Sequence, residues 1–149
     1  METILEMAEY KKTGTCKILI VTGCMAQRYK EEITEEIPEV DAVLGTTSYG
    51  DIVKALNEAE AGHVFQEFKD INALPEDSGR RVITTGGHFG YLKIAEGCDK
   101  HCTYCIIPSL RGKFRSVPEE RLLKQAEYMA SQGVRELILV AQETTVYGT

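Results

Sequence analysis

Short apolar runs alternate with amphipathic segments in the first half of the chain. The run at 17–22 (KILIVT) is rich in β-branched apolar residues, which is typical of a buried strand, and the run at 42–44 (AVL) predicts a second short strand. Segments with helical periodicity precede, separate and follow these runs, at 2–12, 27–36 and 48–61. Because strands that alternate with helices form parallel sheets, this half predicts an α/β domain.

Details of the predicted helices follow from single residues. Ile4, Leu5 and Ala8 are predicted to share the buried face of the first helix. Pro38 ends the second helix, and Ser48 is the predicted N-cap of the third.

The pattern changes after residue 68. Residues 69–88 are rich in Pro, Gly, Asp and Ser, which predicts an interdomain linker. A strand, a helix and a second strand are predicted to follow, at 91–95, 116–132 and 136–141. Ser116 is the predicted N-cap of this helix with Glu119 as its capping-box partner, and Gly133 is the predicted C-cap.

This β-loop-α-β unit is small. Two strands and one helix cannot cover both faces of a parallel sheet. We therefore expect the chain to be a piece of a longer protein, cut at both ends.

Composition and charge exclude several classes of protein. The chain has 149 residues, of which 43% are hydrophobic and 27% charged, as in soluble globular domains. Its apolar runs are strand-sized and its N-terminus lacks signal-peptide features, so we expect no membrane segment and a cytosolic location. Residues 1–80 carry 8 basic and 16 acidic side chains, which argues against a broad phosphate-binding face there. The basic cluster RGKFR (111–115) is either a solvated loop or a small nucleic-acid contact.

The stretch EGCDKHCTYC (96–105) holds three of the five cysteines, spaced CxxxCxxC, directly after a predicted strand. In the cytosol such clusters indicate metal binding or catalysis. Structural zinc normally takes four protein ligands, and His101 is too close to Cys102 to complete the set easily. Three thiolates suit a 4Fe-4S cluster that leaves one iron open for a ligand. A non-catalytic zinc-binding structural module is the alternative.

Cys98, Cys102, Tyr104 and Cys105 form the pattern CxxxCxΦC, where Φ is aromatic, and here the chain resembles the radical S-adenosylmethionine enzymes. The resemblance implies that the three cysteines hold a 4Fe-4S cluster whose open iron binds the amino and carboxylate groups of S-adenosylmethionine. Tyr104 would then lie against the adenine. An electron from the cluster would cleave the sulfonium to a 5′-deoxyadenosyl radical. The implied fold is a (β/α) partial TIM barrel.

Longer stretches are similar to the methylthiotransferases of that superfamily: VTGCMAQRY (21–29), IPEVDAVLG (37–45), YLKIAEGCDKHCTYCIIPSLRG (91–112) and GVRELILVAQETTVYG (133–148). The resemblance implies three regions. They are the C-terminal part of a Rossmann-like N-terminal methylthiotransferase domain (1–68), a linker (69–88), and the first β-loop-α-β of the radical S-adenosylmethionine domain (89–149).

The family's N-terminal domain holds a second, auxiliary 4Fe-4S cluster on three cysteines. Cys24 matches the third of these ligands, and the other two are expected upstream of Met1. Cys16 matches no ligand and is interpreted as a small apolar filler.

The loop AQETTVYG (141–148) is similar to the QDTxxYG of one branch of the family. That branch methylthiolates the β-carbon of an aspartate in small-subunit ribosomal protein twelve. The branch that modifies an adenosine of tRNA is the alternative. The implied reaction uses two molecules of S-adenosylmethionine and an electron donor such as flavodoxin or ferredoxin. We expect the fragment alone to be inactive.

Two further residues have open roles. Arg111 either reaches the carboxylate of the cofactor or pairs with an acidic surface group. Gln142 either contacts the methionine part of the cofactor or caps the end of its strand.

Overall fold

The computed structural model describes residues 2–74 and 81–148, which belong to two compact units, Met1–Glu76 and Asp77–Thr149. Both units combine helices with parallel strands, which confirms the predicted α/β class. The predicted linker at 69–88 includes residues 75–80, which lie outside the described residues. The predicted domain limits therefore stay a prediction.

The first unit is a three-stranded parallel sheet with helices before and between its strands. Its helices are α1 (Glu2–Thr13), α2 (Cys24–Arg28), α3 (Lys30–Glu36) and α4 (Ile52–Glu60), with a 3₁₀ turn at Tyr49–Asp51 before α4. Its strands are β1 (Ile20–Thr22), β2 (Ala42–Leu44) and β3 (Phe65–Glu67), in the order β1-β2-β3. The central strand β2 is buried along its whole length, which explains its uninterrupted apolar sequence.

The core of this unit lies between the sheet and the first three helices. Ala8, Val21, Ile33 and Val43 are buried together there. Ile4 packs against this core as predicted, but Leu5 is 56% exposed, so its predicted place on the buried face is wrong. Successive helical residues are rotated by about 100°, which carries Leu5 past the narrow face that α1 buries.

An ion pair fixes α1 to the beginning of β2. Lys11 Nζ donates to both carboxylate oxygens of Asp41, at 2.8 and 2.7 Å. The same carboxylate accepts a hydrogen bond of 2.7 Å from Leu19 N. Asp41 therefore holds a helix and the residue before β1 at once.

Two predictions for this unit need correction, and one strand was missed. The predicted helix at 27–36 begins earlier, at Cys24, and is broken at Tyr29, whose φ of -120° and ψ of 34° are not helical. Ser48 makes no side-chain cap; its buried Oγ accepts a hydrogen bond of 2.9 Å from Lys69 N. Strand β3 was not predicted, because its three residues FQE carry no apolar run.

The second unit pairs two parallel strands and adds a short antiparallel ladder. Its strands are β4 (Phe89–Lys93), β5 (Ala95–Glu96), β6 (Arg115–Ser116) and β7 (Glu136–Val140). Its helices are α5 (Ile107–Arg111) and α6 (Glu119–Ser131). β4 pairs with β7 in parallel, and β5 pairs with β6 antiparallel.

Helix α6 packs closely on β4. Met129 is 1% exposed, and a Cβ added at Gly90 would lie 2.3 Å from its Cε. Glycine at position 90 therefore permits the close approach of strand and helix. Arg81, inside the predicted linker, donates a hydrogen bond of 2.5 Å to Tyr91 O, so the segment before β4 contacts this unit.

The ends of α6 differ from the prediction. Pro118 is its N-cap and no side chain caps it. Ser116 instead lies in β6, where its Oγ accepts a hydrogen bond of 3.0 Å from Gly148 N. Gln132 is the C-cap, and Gly133 follows it with a φ of 92°. The strand predicted at 91–95 begins earlier, at Phe89, and is interrupted before Ala95.

In the two described ranges, no helix combines the length and the apolar character needed to cross a membrane.

Candidate cysteine-cluster site

The cysteine loop, residues 97–106, begins where β5 ends. The polar loop 141–148 follows β7. Lys93 pairs with Val140 in the parallel register, and Ile94 N donates to Val140 O at 3.0 Å. The register therefore brings both loops to the carboxyl edge of this strand pair, where parallel α/β proteins place their sites.

The entry to the cysteine loop is packed tightly against residues 112–114. Gly97 has a φ of 76°, and a Cβ added there would lie 2.1 Å from Lys113 O and 2.5 Å from Gly112 O. Cys98 N donates to Gly112 O at 3.2 Å, and Asp99 Oδ1 accepts a hydrogen bond of 3.1 Å from Phe114 N. Only glycine fits at position 97 without a shift of backbone.

The predicted ligands lie on a short turn. Cys105 N donates to Cys102 O at 2.9 Å, which closes the turn that carries these two residues. Cys102 is exposed, whereas Cys98 and Cys105 are half-buried, and all three are free of disulfides. Tyr104 is 92% exposed, so its ring is open to a ligand.

The donor set suits an iron–sulfur cluster, because three reduced thiols are soft ligands at one end of a strand pair. Within 2–74 and 81–148, however, no three His, Cys, Asp or Glu side chains are grouped closely enough to hold a metal ion. Cluster binding would therefore require the thiols of this loop to turn towards one another. The assignment of Cys98, Cys102 and Cys105 as ligands stays a prediction.

Two side chains from the loop after β7 contact the cysteine loop. Gln142 Oε1 accepts a hydrogen bond of 2.9 Å from Gly97 N. Glu143 forms an ion pair with Lys100, and it also accepts a hydrogen bond of 2.9 Å from Thr145 N. These contacts join the ends of two neighbouring strands.

The charges of this ion pair are mutually stabilised. The hydrogen bond from Lys100, followed by those from Thr145, lowers the pKa of Glu143 to about 2. The hydrogen bond to Glu143 raises the pKa of Lys100, and Cys98 and Cys102 raise it further. Lys100 therefore remains a cation beside two of the predicted ligands.

A buried carboxylate lies two residues before the first cysteine of the loop. Glu96 is 3% exposed and forms an ion pair with Lys93. Arg111 NH1 lies 3.6 Å from Glu96 Oε2, and that oxygen has no hydrogen-bond partner among the described residues. Arg111 thus meets a buried acid, whereas one predicted alternative was an acidic group at the surface.

Sequence reasoning missed the contacts of Glu96 and Glu143. A signal was present for both residues. Each is an acid at or just after the end of a strand, and the strands β4 and β7 are predicted to be parallel. Only the register shows which basic residue each acid meets.

Cys24 lies in the other unit, Met1–Glu76. It is exposed and begins α2, directly after Gly23, whose φ is 97°. Cys16 of the same unit is half-buried, and its thiol donates to Ile18 O at 3.4 Å. The role of Cys24 as an auxiliary ligand stays a prediction.

Two family models match the chain. Residues 92–149 match the Radical SAM superfamily, and residues 1–45 match Uncharacterized protein family UPF0004. The ribosomal protein uS12 methylthiotransferase RimO of Lachnoclostridium phytofermentans is 62% identical over 99% of this chain and 34% of its own length. The protein of the same name from Clostridioides difficile is 51% identical over 99% of this chain and 33% of its own length. The chain belongs to the radical S-adenosylmethionine methylthiotransferase family.

The chain spans about a third of the length of the curated relatives it matches. The superfamily and the names of these relatives are associated in general with 4Fe-4S clusters and S-adenosylmethionine. The superfamily match begins at residue 92 and includes the whole cysteine loop and the loop after β7.

Proposed function

We propose that this chain is part of an enzyme that methylthiolates the β-carbon of an aspartate in small-subunit ribosomal protein twelve. The observation that carries the proposal is the cysteine loop at the carboxyl edge of β4 and β7, within the region that matches the superfamily. The names of relatives that are up to 62% identical to this chain support this substrate. The enzyme would work in the cytosol with an electron donor such as flavodoxin or ferredoxin.

Cys98, Cys102 and Cys105 would hold a 4Fe-4S cluster, which supplies the electron that cleaves S-adenosylmethionine. Tyr104 is open to the adenine in its exposed position. Arg111 lies beside the buried carboxylate of Glu96, and this contact holds its guanidinium near the cysteine loop. Lys100 provides positive charge beside Cys98 and Cys102.

Cys24 would supply one ligand of an auxiliary cluster. Cys24 is exposed at the start of α2, just after β1. This supports the role, because a cluster must be able to reach the thiol that binds it. The match of residues 1–45 to the second family model covers the position of Cys24.

The cluster can be tested directly on the 149-residue chain. Anaerobic reconstitution with iron and sulfide should give about one cubane cluster, whose EPR spectrum after reduction changes when S-adenosylmethionine is added. Cys98→Ser should prevent this change, whereas Cys16→Ser should not. Tight zinc binding without uptake of iron and sulfide would favour the zinc-binding structural module instead.

The substrate can be tested with a chimera. This chain would replace the matching third of the Lachnoclostridium phytofermentans relative, which it covers over 148 residues. We expect the chimera to methylthiolate ribosomal protein twelve, and we expect the same chimera with Cys24→Ser to fail although it keeps the first cluster. Methylthiolation of tRNA alone would support the other branch of the family.

A further inference from the structure

We infer that Gln142 and Glu143 are positioning residues for the cysteine loop, and that Gln142 acts through the amide of Gly97 rather than through the cofactor. The inference rests on the proposed function, because it concerns how the loop is prepared for a cluster. It also goes beyond the sequence, in which Gln142 had two open roles.

The contact of Gln142 has only one chemical orientation. Gly97 N is a hydrogen-bond donor, so the side-chain amide must present its carbonyl oxygen, as it does at 2.9 Å. Residues 112 and 113 pack closely against Gly97, since the carbonyl oxygens of Gly112 and Lys113 would lie 2.5 and 2.1 Å from a Cβ at this position. The amide just before Cys98 is therefore fixed between two segments.

Glu143 holds the next part of the loop. Its carboxylate pairs with Lys100, which stands between Cys98 and Cys102 in the sequence. The hydrogen bond from Thr145 N fixes the carboxylate within its own loop, and the side chain of Glu143 is 11% exposed. A carboxylate held in this way is preorganised, so Glu143 loses little further freedom when it pairs with Lys100.

The two contacts together hold the first half of the cysteine loop in place. Gln142 acts one residue before Cys98, and Glu143 acts two residues after it. Groups that hold metal ligands in place without touching the metal typically change metal affinity or activity by about 10–100-fold when removed. The loop after β7 would therefore control how readily the three thiols turn towards one another.

Three variants test this role in the complete 149-residue chain. Gln142→Leu removes the acceptor oxygen while keeping similar bulk. Gln142→Glu keeps an oxygen that can accept from Gly97 N but removes every side-chain N–H. Gln132→Leu is the matched control, since Gln132 is exposed at the end of α6 and makes no contact with the loop in the described structure.

The first measurement is amide hydrogen exchange at Gly97 in the reduced, cluster-free chain. We expect exchange to be about two- to tenfold faster in Gln142→Leu, because one hydrogen bond of ordinary strength is lost. Gln142→Glu and Gln132→Leu should exchange like the parent. Unchanged exchange in Gln142→Leu would overturn the proposed contact.

The second measurement is iron and sulfide uptake, followed by EPR of the reduced cluster with and without S-adenosylmethionine. We expect Gln142→Leu to lower the apparent affinity for iron about tenfold or more and Gln142→Glu to restore it. If Gln142 instead donated an N–H to the cofactor, Gln142→Glu would take up the cluster but lose the spectral response to S-adenosylmethionine. That result would overturn the positioning role.

Glu143→Gln provides an independent check, because it keeps an acceptor for Thr145 N but removes the charge that faces Lys100. We expect weaker iron uptake with unchanged exchange at Gly97. Normal uptake in both Glu143→Gln and Gln142→Leu would refute the inference while leaving the proposed function intact. Failure of the unmodified chain to take up any cluster would instead refute the proposed function.

Discussion

Replacing Gly97 by alanine tests the packing at the entry to the cysteine loop. The φ of 76° is unfavourable for any L-residue with a Cβ and costs about 1–2 kcal/mol. The new methyl group would also meet Lys113 O at 2.1 Å and Gly112 O at 2.5 Å, so backbone must shift. Overpacking of this kind adds about 1–3 kcal/mol, which gives a total loss of about 2–5 kcal/mol for Gly97→Ala.

Gly133→Ala separates the conformational cost from the steric cost. Gly133 also has a positive φ, of 92°, but a Cβ added there would meet nothing closer than Gly87 O at 3.9 Å. We expect this control to lose only the conformational term, about 1–2 kcal/mol. Urea unfolding of the reduced, cluster-free chain would be followed through the amide signals of β4 and β7. These report on the unit that contains both glycines, and the midpoint gives stability where the slope is unchanged.

Equal losses of stability in Gly97→Ala and Gly133→Ala would refute the steric part of this prediction. That result would mean that residues 112–114 move aside at no cost, and that the loop entry is not tightly held. A larger loss in Gly97→Ala should also be accompanied by weaker cluster uptake, because Gly97 directly precedes Cys98. Gly133→Ala should leave uptake unchanged.

Three further predictions concern the cores and charges. Glu96→Gln should destabilise the second unit by about 1–3 kcal/mol in urea unfolding, because it removes the buried charge that faces Arg111. Ile33→Ala should cost about 2–5 kcal/mol in the first unit, because Ile33 is 0% exposed. A hydrogen bond from Lys12 lowers the pKa of Glu39 below its ordinary value of 4.5. The stabilisation by Glu39 should be present above pH 4.5 and be lost as the pH falls through the lowered pKa, so the chain and Glu39→Gln should converge in acid unfolding.

Each of these predictions has an opposing result. Glu96→Gln as stable as the parent would mean that Arg111 does not depend on this carboxylate. The control for Ile33→Ala is Leu5→Ala, which should change stability little because Leu5 is 56% exposed. A difference between the chain and Glu39→Gln that persists in acid would show that the effect of Glu39 is not electrostatic.

The sequence was sufficient to predict an element where one physical signal dominated. The apolar runs around Val21 and Val43 predict strands, and both are present and parallel. The first is shorter than the predicted 17–22 and only Val21 in it is buried, whereas the second is buried throughout. Ser48 and Ser116 had the right residue type for N-caps, yet both hydroxyls accept hydrogen bonds from distant backbone amides instead. Local propensity could not predict these bonds, since the competing donors lie 21 and 32 residues away.

The hydrogen bond between Gln142 and Gly97 is a second contact that local sequence could not predict. The spacing of Cys98, Cys102 and Cys105 is readable because all three ligands lie within one loop. Gln142 is 45 residues from Gly97, and the two meet only because β4 and β7 pair in parallel with Lys93 opposite Val140. A one-residue slip of that register would move Gln142 to the other face of its strand end and break the contact. The contact that holds the cysteine loop therefore depends on the register of β4 and β7. The sequence pattern predicts that these strands are parallel neighbours, but it does not predict their register.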